Sequence, residues 1–263
     1  MAGALMTLVR ALLSYVVFVL ALPILIAHPK LRRGYRQRLG WYRKREIPTA
    51  PGPRVWMHGA SAGDVLALIP TVRALKSMRP DTQVMISTTT NTGRAMAMKF
   101  KDEIASVVYQ PYDIPGAVNR ALARLKPDVL VLEYTELWPQ LIHRSGRRGV
   151  SVVLHNGRFS GQRLYRYRWL FRIAGNVLAG LSALLMRDEI GAESARALGA
   201  PDERVRVTGN TKFDNLPQPP SPDALVALRE ALGLQADALV WVAGSTHEGE
   251  EELLFPIFLR VRE

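Results

Sequence analysis

Apolar runs alternate with helix-like stretches along the chain from residue 54 onward. The apolar runs predict strands at Arg54–His58, Gln83–Thr88, Ala105–Tyr109, Val129–Leu132, Val150–Leu154, Ala183–Met186, Arg204–Thr208 and Ala238–Ala243. Helices are predicted between most of them, at Val65–Met78, Gly93–Lys101, Ile114–Leu125, Tyr165–Ala179 and Gly191–Leu198. Because the strand runs are continuously apolar, they indicate a parallel sheet that is covered on both faces. The alternation of strands and helices therefore predicts a doubly wound α/β fold.

The N-terminal segment has a different pattern. Leu5–Ala27 is almost wholly apolar, with Arg10 near its start and Pro23 near its end, and about 20 apolar residues can cross a bilayer. A basic cluster follows, with no acid before Glu46: Lys30, Arg32, Arg33, Arg36, Arg38, Arg43, Lys44 and Arg45. We expect a membrane anchor over residues 1–28 and a basic segment over residues 29–53 that stays cytoplasmic and binds anionic lipids. The alternatives are a buried or interfacial helix and a cleaved signal peptide, although a signal peptide carries its charge before the apolar run.

A proline-rich segment, Asn215–Pro222, marks the clearest domain boundary. Its four prolines cannot lie inside a sheet or a helix, so it is interpreted as a semi-rigid linker over residues 215–222. The sequence predicts one α/β domain over residues 54–214 and the beginning of another over residues 223–263. The second segment offers one strand and two helices, which is less than a domain. We therefore expect the second domain to be truncated in this chain or supplied by another polypeptide.

Composition narrows the possible functions. The chain has 263 residues, a net charge of +12 and no cysteine. The absence of cysteine excludes disulfides, a thiolate nucleophile and cysteine-based metal sites. The positive charge indicates an anionic partner, which could be a membrane surface, a phosphorylated substrate or nucleic acid. Nucleic acid is the weakest of these, because no recognised DNA- or RNA-binding pattern accompanies the charge.

The segment Trp56–Asp64 is the first candidate for chemistry. A strand, a small-residue turn with Ser61 and Gly63, and a helix N-terminus follow one another there, which is how α/β proteins present substrate-binding groups. Asp64 could be a catalytic carboxylate at this position. It could equally be an N-cap or first-turn acid, which is the commoner role of a lone aspartate.

Polar groups follow several other predicted strands. Thr90, Thr92 and Gly93 could bind an anion or cap a helix, Glu136 could be catalytic or a cap, and Arg158 could bind an anion or pair with an acid. Lys212 lies just before the proline-rich segment, and Ser245, Thr246 and His247 join the last predicted strand to a helix. Three glutamates near His247 do not have the spacing of a zinc site, so no metal site is predicted.

Eight blocks together resemble the 3-deoxy-D-manno-octulosonic acid (Kdo) transferases of lipid A biosynthesis. They are Arg33–Gly40, Trp56–Asp64, Thr88–Gly93, Tyr109–Asp113, Thr135–Pro139, Leu154–Ser160, Gly209–Asp214 and Gly244–Glu251. The resemblance implies a GT-B fold of two Rossmann-like domains, the first anchored at the cytoplasmic face of the inner membrane. It implies inverting transfer of Kdo from CMP-Kdo to a hydroxyl of a phosphorylated lipid A precursor, without a metal or other cofactor.

The resemblance also implies roles for individual residues. Asp64 occupies the general-base position, Ser61, Gly63, Thr90, Thr92 and Gly93 line the acceptor side, and Ser245, Thr246 and His247 lie on the donor side. The chain departs from the family pattern in having Asp64 and Tyr134 where the family carries glutamates. Two other functions stay open: a membrane-anchored homologue that binds lipid A precursors without catalysis, and a GT-B transferase that uses a different nucleotide sugar.

Overall fold

The computed structural model describes residues 2–27, 33–161, 164–215, 219–235 and 237–262. Lys30 and Arg32 of the basic cluster and residues 216–218 of the proline-rich segment lie outside these ranges. The chain divides into two compact units, Met1–Leu216 and Pro217–Glu263. The finer domain limits given above stay a prediction.

The first unit contains one seven-stranded parallel sheet. Its strands are β1 (Arg54–His58), β2 (Gln83–Thr88), β3 (Ser106–Tyr109), β4 (Val129–Glu133), β5 (Ser151–Gly157), β6 (Ala183–Met186) and β7 (Val205–Val207). They are arranged in the order β3-β2-β1-β4-β5-β6-β7, which is the order of a Rossmann-like doubly wound sheet. The predicted α/β fold class is thus confirmed.

Helices connect successive strands. They are α3 (Ala62–Met78), α4 (Asn91–Met98), α5 (Pro115–Leu125), α6 (Pro139–Gly146), α7 (Leu164–Ala174) and α8 (Glu189–Ala197), preceded by α1 (Ala2–Ala27) and the short α2 (Tyr35–Arg38). Helix α3 begins three residues before the predicted start, because Ser61 caps it. The predicted helix Tyr165–Ala179 is instead α7 followed by a separate 3-10 turn at Val177–Gly180, since Gly175 between them has a φ of +82°.

Apolar side chains fill both faces of the sheet, as continuous apolar strands require. In β1, Trp56 joins the layer formed with α5, α6 and α8, whereas Val55 and Met57 join the layer formed with α3 and α4. Both layers are almost completely excluded from solvent. Such a sheet holds the ends of its strands rigidly, so that residues just after them are fixed in position.

Helix α1 packs along one side of this unit. Its Tyr15 hydroxyl accepts a hydrogen bond from the Gly116 N–H (3.0 Å), and the Phe18 and Tyr112 rings lie 5.1 Å apart. The other apolar side chains between Thr7 and Ala27 are largely exposed. Thr7–Ala27 has a mean hydropathy of 2.4 and is long enough to cross a membrane. Among the described residues, this is the single helix that meets both criteria.

Part of the basic segment is folded into the first unit. Arg38 is 2% exposed, donates to the Thr89 carbonyl oxygen (2.5 Å) and stacks on the Tyr109 ring. Burial lowers the pKa of its guanidinium. The prediction that the whole cluster binds lipid headgroups is therefore wrong for Arg38, which instead fastens α2 to the ends of β2 and β3.

The second unit contains α9 (Pro222–Ala231) and α10 (Glu250–Arg262). The predicted strand Ala238–Ala243 is absent from it, although residues 238–243 are all described. A parallel strand needs hydrogen-bonding neighbours. Leu239 and Val242 are exposed rather than packed in a sheet, so an apolar run alone does not make a strand here.

Candidate functional site

The candidate residues of the first unit follow the carboxyl ends of its strands. The strand order reverses direction between β1 and β4, and ligands of such sheets bind in the crevice outside that point. Ser61, Gly63 and Asp64 follow β1, and Glu136 follows β4. The fold therefore brings these candidates to opposite sides of the crevice.

Asp64 forms a capping box with Ser61 at the start of α3. Its Oδ2 accepts hydrogen bonds from the backbone N–H and the hydroxyl of Ser61, both at 2.8 Å, while the Asp64 N–H donates to the Ser61 hydroxyl at 3.4 Å. The N-terminus of α3 also favours a negative charge at this place. No hydrogen bond to Oδ1 occurs within the described part of the chain, so one carboxylate oxygen is left to act on a ligand.

The turn after β2 packs directly against the turn after β1. The N–H and the hydroxyl of Thr90 donate to the Ala60 carbonyl oxygen, and Thr90 caps α4 through the Gly93 N–H. A Cβ atom on Gly93 would lie 3.0 Å from that same carbonyl oxygen, so the close approach of the two turns favours glycine. The Thr90 and Thr92 hydroxyls lie 3.1 Å apart. Thr90 and Gly93 thus connect the two turns and cap α4, which agrees with the helix-capping alternative given for them above.

Glu136 lies across the crevice, against the end of β1. Its Oε2 is 3.4 Å from His58 Nε2 and accepts a hydrogen bond from the Trp138 indole at 3.0 Å. His58 is fully buried, and its Nδ1 lies 3.0 Å from the Ser87 carbonyl oxygen. The same Nδ1 is also 3.0 Å from the Ser87 hydroxyl, and Nε2 faces the Glu136 carboxylate without a hydrogen-bond partner among the described residues. The Trp138 indole is therefore the hydrogen-bond donor that orients Glu136.

Glu133 is a fully buried carboxylate that is not among the candidate site residues predicted from the sequence. Glu133, the last residue of β4, accepts hydrogen bonds from His155 Nδ1 (2.6 Å) and Asn156 Nδ2 (2.8 Å). His155 Nε2 lies 2.9 Å from the Thr71 hydroxyl of α3, and Asn156 bonds with Thr211. The network links β4, β5, α3 and the segment after β7. The polar residues His155 and Asn156 at the end of a predicted strand were the sequence feature that could have indicated this network. Their partners Glu133, Thr71 and Thr211 are distant in sequence, so the pattern does not identify them.

Two cations flank the Tyr134 ring beside this network. The Arg187 guanidinium donates to the Tyr134 hydroxyl (2.9 Å) and lies 5.4 Å from the ring centroid. Lys212 Nζ lies 4.9 Å from the same centroid. Tyr134 has a φ of +61°, an uncommon value for a non-glycine residue and one that often marks a functional site. Arg187 and Lys212 thus place positive charge at the carboxyl edge, where an anion could bind.

The remaining candidates are not joined to this group. Arg158 is exposed, and no contact with the other candidates is found among the described residues. Ser245, Thr246 and His247 belong to the second unit, where the Thr246 hydroxyl donates to Glu251 and the His247 N–H donates to Glu250 at the start of α10. Within the described ranges, no three His, Asp or Glu side chains are grouped so as to hold a metal.

Asp113 fixes the segment that carries Trp138. Its carboxylate accepts the N–H groups of Gln140 (2.9 Å) and Leu141 (2.8 Å) at the N-terminus of α6. Desolvation raises the pKa of Asp113 from 3.8 to about 6, although these two hydrogen bonds oppose the increase. The charged form is thus destabilised in the folded protein at neutral pH.

This pKa predicts a pH dependence of stability. Because the folded pKa lies above the unfolded one, the contribution of Asp113 is fully present below pH 4 and is lost as the pH rises through 6. The loss is on the order of 3 kcal/mol. We expect Asp113→Asn to remove this decline in urea unfolding measured between pH 4 and 7, whereas Asp102→Asn on the exposed surface leaves it unchanged. A decline that persists in full in Asp113→Asn would contradict this assignment.

Comparison with known proteins identifies similar sequences and folds. A family model described as 3-deoxy-D-manno-octulosonic-acid transferase (kdotransferase) matches residues 33–215. A 3-deoxy-D-manno-octulosonic acid transferase of Bordetella pertussis is 35% identical over 78% of this chain and 48% of its own length. One of Haemophilus influenzae is 29% identical over 87% of this chain and 53% of its own length. The chain thus spans about half the length of these curated relatives.

Among solved structures, a candidate UDP-N-acetylglucosamine 2-epimerase of Listeria monocytogenes has a similar fold. Its TM-score is 0.50 at 13% identity, over 68% of this chain and 51% of that one. At this level of identity the similarity concerns the fold alone. It agrees with the Rossmann-like strand order described above.

Proposed function

The chain belongs to the 3-deoxy-D-manno-octulosonic acid transferase family, and on this basis we propose that it forms the acceptor-binding half of a Kdo transferase. The complete enzyme would move Kdo from CMP-Kdo to a hydroxyl of a phosphorylated lipid A precursor. The observation that carries the proposal is the placement of Asp64. Its carboxylate lies at the strand crossover point, with Oδ2 held by Ser61 and Oδ1 without a described partner.

The proposed chemistry is an inverting displacement. A sugar hydroxyl is a weak nucleophile until a positioned base accepts its proton. The acceptor oxygen would form a bond to the anomeric carbon of Kdo, its proton would pass to Asp64, and the bond from that carbon to the CMP phosphate oxygen would break. CMP would leave with the bonding electron pair. The Ser61 hydrogen bonds orient the carboxylate before substrate arrives, which reduces the cost of reaching the reactive geometry.

Positive groups near the same edge support an anionic substrate. Arg187 and Lys212 flank Tyr134, and both lie beyond the carboxyl ends of their strands. A lipid A precursor carries phosphates, and Kdo carries a carboxylate, so fixed cations there would stabilise a bound substrate. Ser61, Gly63, Thr90, Thr92 and Gly93 would form the acceptor side, with Glu136 opposite. Arg158 is an exposed anion-binding candidate, and Ser245, Thr246 and His247 would belong to the donor side.

The N-terminal helix supports a location at the inner membrane. Thr7–Ala27 is apolar and mostly exposed, so it would insert in the bilayer as a single anchor. The basic residues after it would keep the first unit on the cytoplasmic side and attract anionic lipids. A phosphorylated lipid acceptor lies in that same membrane, so anchoring would bring the site to its substrate.

One observation favours a second function. By the family resemblance, Tyr134 stands where the family pattern has a glutamate, and in the structure the Arg187 guanidinium and Lys212 Nζ lie against its ring. A homologue that lost this carboxylate could keep the acceptor surface without the chemistry. It would bind phosphorylated lipid A precursors and have no transferase activity, even when a C-terminal domain is restored.

Both proposed functions require the chain to bind a phosphorylated lipid A precursor, so a binding experiment tests this shared property. We expect the 263-residue chain in detergent micelles to bind a tetraacylated, bisphosphorylated glucosamine disaccharide saturably, and more weakly as salt increases. The same lipid with its phosphates removed serves as the matched ligand and is expected to bind more weakly. Equal binding of the two lipids at low salt would contradict recognition of an anionic acceptor.

A further inference from the structure

Helix α7 (Leu164–Ala174) is fastened to the sheet by its inner face. Phe171 is buried in the layer that also contains residues of α5, α6 and α8. Tyr167, one turn earlier, has its ring edge-on to the buried Phe159 ring, with 5.3 Å between the ring centroids. Because residues four apart share a helix face, these contacts fix which side of α7 points away from the core.

The outward side of α7 carries a row of aromatic and apolar side chains. Tyr165, Trp169 and Ile173 are spaced four residues apart, and all three are exposed, Tyr165 by 63% and Trp169 by 64%. Single exposed apolar residues are ordinary, but a contiguous row on one helix face indicates an interaction surface. Tyrosine and tryptophan are enriched where proteins meet the boundary between lipid and water, because each ring has an apolar body and a polar tip.

Arginines border this row on both sides. Arg166 precedes Trp169 by three residues and Arg172 follows it by three, so the helix places them to the left and right of the row. Both are exposed. The Arg166 Nε donates to the Tyr165 hydroxyl (2.9 Å), which is an uncharged partner. Within the part of the chain that the structure describes, neither arginine forms an ion pair, so both charges remain available to an external anion.

The sequence around α7 strengthens this positive charge. No aspartate or glutamate occurs between Glu136 and Asp188, a stretch that contains many arginines. Uncompensated positive charge beside exposed aromatic rings is complementary to an anionic lipid surface, where the rings enter the boundary region and the guanidinium groups stay at the level of the headgroups. A nucleic acid would match the charge but not the exposed apolar Leu170 and Ile173.

We propose that the outward face of α7 lies on the anionic bilayer surface as a second membrane contact of the first unit. This face consists of Tyr165, Arg166, Trp169, Arg172 and Ile173. A single transmembrane anchor leaves a folded unit free to rotate about its tether, whereas a second contact holds the sheet at one orientation to the bilayer. The inference goes beyond the proposed function, because it involves neither a sugar donor nor a catalytic residue.

Spin labelling of the full chain tests the proposal. The chain has no cysteine, so Trp169→Cys provides one site for a nitroxide, the α7 label. Its accessibility to oxygen, which partitions into the bilayer, is compared with its accessibility to a water-soluble nickel complex. In vesicles of phosphatidylglycerol and phosphatidylcholine, we expect the α7 label to be more accessible to oxygen. High salt, or vesicles of phosphatidylcholine alone, should make it more accessible to the nickel complex.

Matched variants control for position and for net charge. Met78→Cys labels a residue that is 86% exposed at the end of α3, on the opposite layer of the sheet, and this label is expected to stay in water. Arg166→Glu combined with Arg172→Glu should move the α7 label into water. Lys99→Glu combined with Lys101→Glu makes the same change of net charge beside α4 and should leave the α7 label in the bilayer.

A label in α1, at Val16→Cys, separates this inference from the proposed membrane anchor. If the α1 label is in the bilayer while the α7 label stays in water in phosphatidylglycerol vesicles, the α7 contact is refuted and the anchor stands. The reverse result would support the contact and count against the anchor. Equal entry of the α7 label into vesicles of phosphatidylcholine alone would refute recognition of an anionic surface. Immobilisation of the α7 label by added RNA, without entry into either vesicle, would assign the face to nucleic acid and overturn the proposal.

Discussion

Asp64→Asn is expected to lower Kdo transfer by about 100- to 10,000-fold in the chain completed with a homologous C-terminal domain, the range that general-base catalysis supplies. The amide cannot accept the proton of the acceptor hydroxyl. It can still accept the Ser61 N–H, so the cap of α3 is weakened by roughly 1 kcal/mol at most. Transfer is measured with labelled CMP-Kdo, and folding is measured by thermal unfolding.

Two matched variants sharpen this test. Asp64→Glu keeps a carboxylate, and glutamate is the usual third helical residue of a capping box, so it is expected to retain transfer. Asp102→Asn makes the same chemical change at an exposed surface residue and is expected to have no effect. If Asp64→Asn transferred Kdo as fast as the unchanged protein, Asp64 would not be the base.

Glu133→Ala is expected to destabilise the first unit by about 3–5 kcal/mol, as the removal of one partner from a buried polar pair does. Glu133 is fully buried, and its removal leaves the donors of His155 and Asn156 without their acceptor. Domains are stable by only about 5–15 kcal/mol, so this single change removes much of that margin. Urea unfolding followed by tryptophan fluorescence, to which the buried Trp56 contributes, measures it.

A surface glutamate provides the control for this prediction. Glu103 forms an ion pair with Arg73 at 2.8 Å, and both side chains are partly exposed. Glu103→Ala is therefore expected to cost no more than about 1 kcal/mol. Equal losses for the two variants would show that the network around Glu133 adds nothing beyond a surface ion pair.

The sheet could be predicted from the sequence because its strands are buried on both faces. The bounds of β1, β2 and β6 are those predicted, because strands of a parallel sheet that is covered on both faces are apolar on both of their sides. Residues 238–243 have the same pattern and are not a strand. An apolar run thus predicts a strand correctly where neighbouring strands are present to pair with it, and incorrectly where they are not.

The candidate site was predictable only in part. The turns after β1 and β2 were selected from polar residues at strand ends, and the fold brings them into contact through Ala60 and Thr90. The Glu133 network could not be selected, because Thr71 and Thr211 lie far from Glu133 in sequence and are brought together by tertiary packing. The burial of Arg38 was missed because a basic cluster next to an apolar segment resembles a headgroup-binding surface whatever each side chain contacts.

Transfer of labelled Kdo from CMP-Kdo to a tetraacylated lipid A precursor tests the central proposal most directly. It would compare the 263-residue chain with the version completed by a homologous C-terminal domain. The proposal predicts transfer by the completed version and none by the chain alone. Absence of transfer by both, with the lipid still bound, would contradict the transferase and favour a homologue that has kept the acceptor surface without the chemistry.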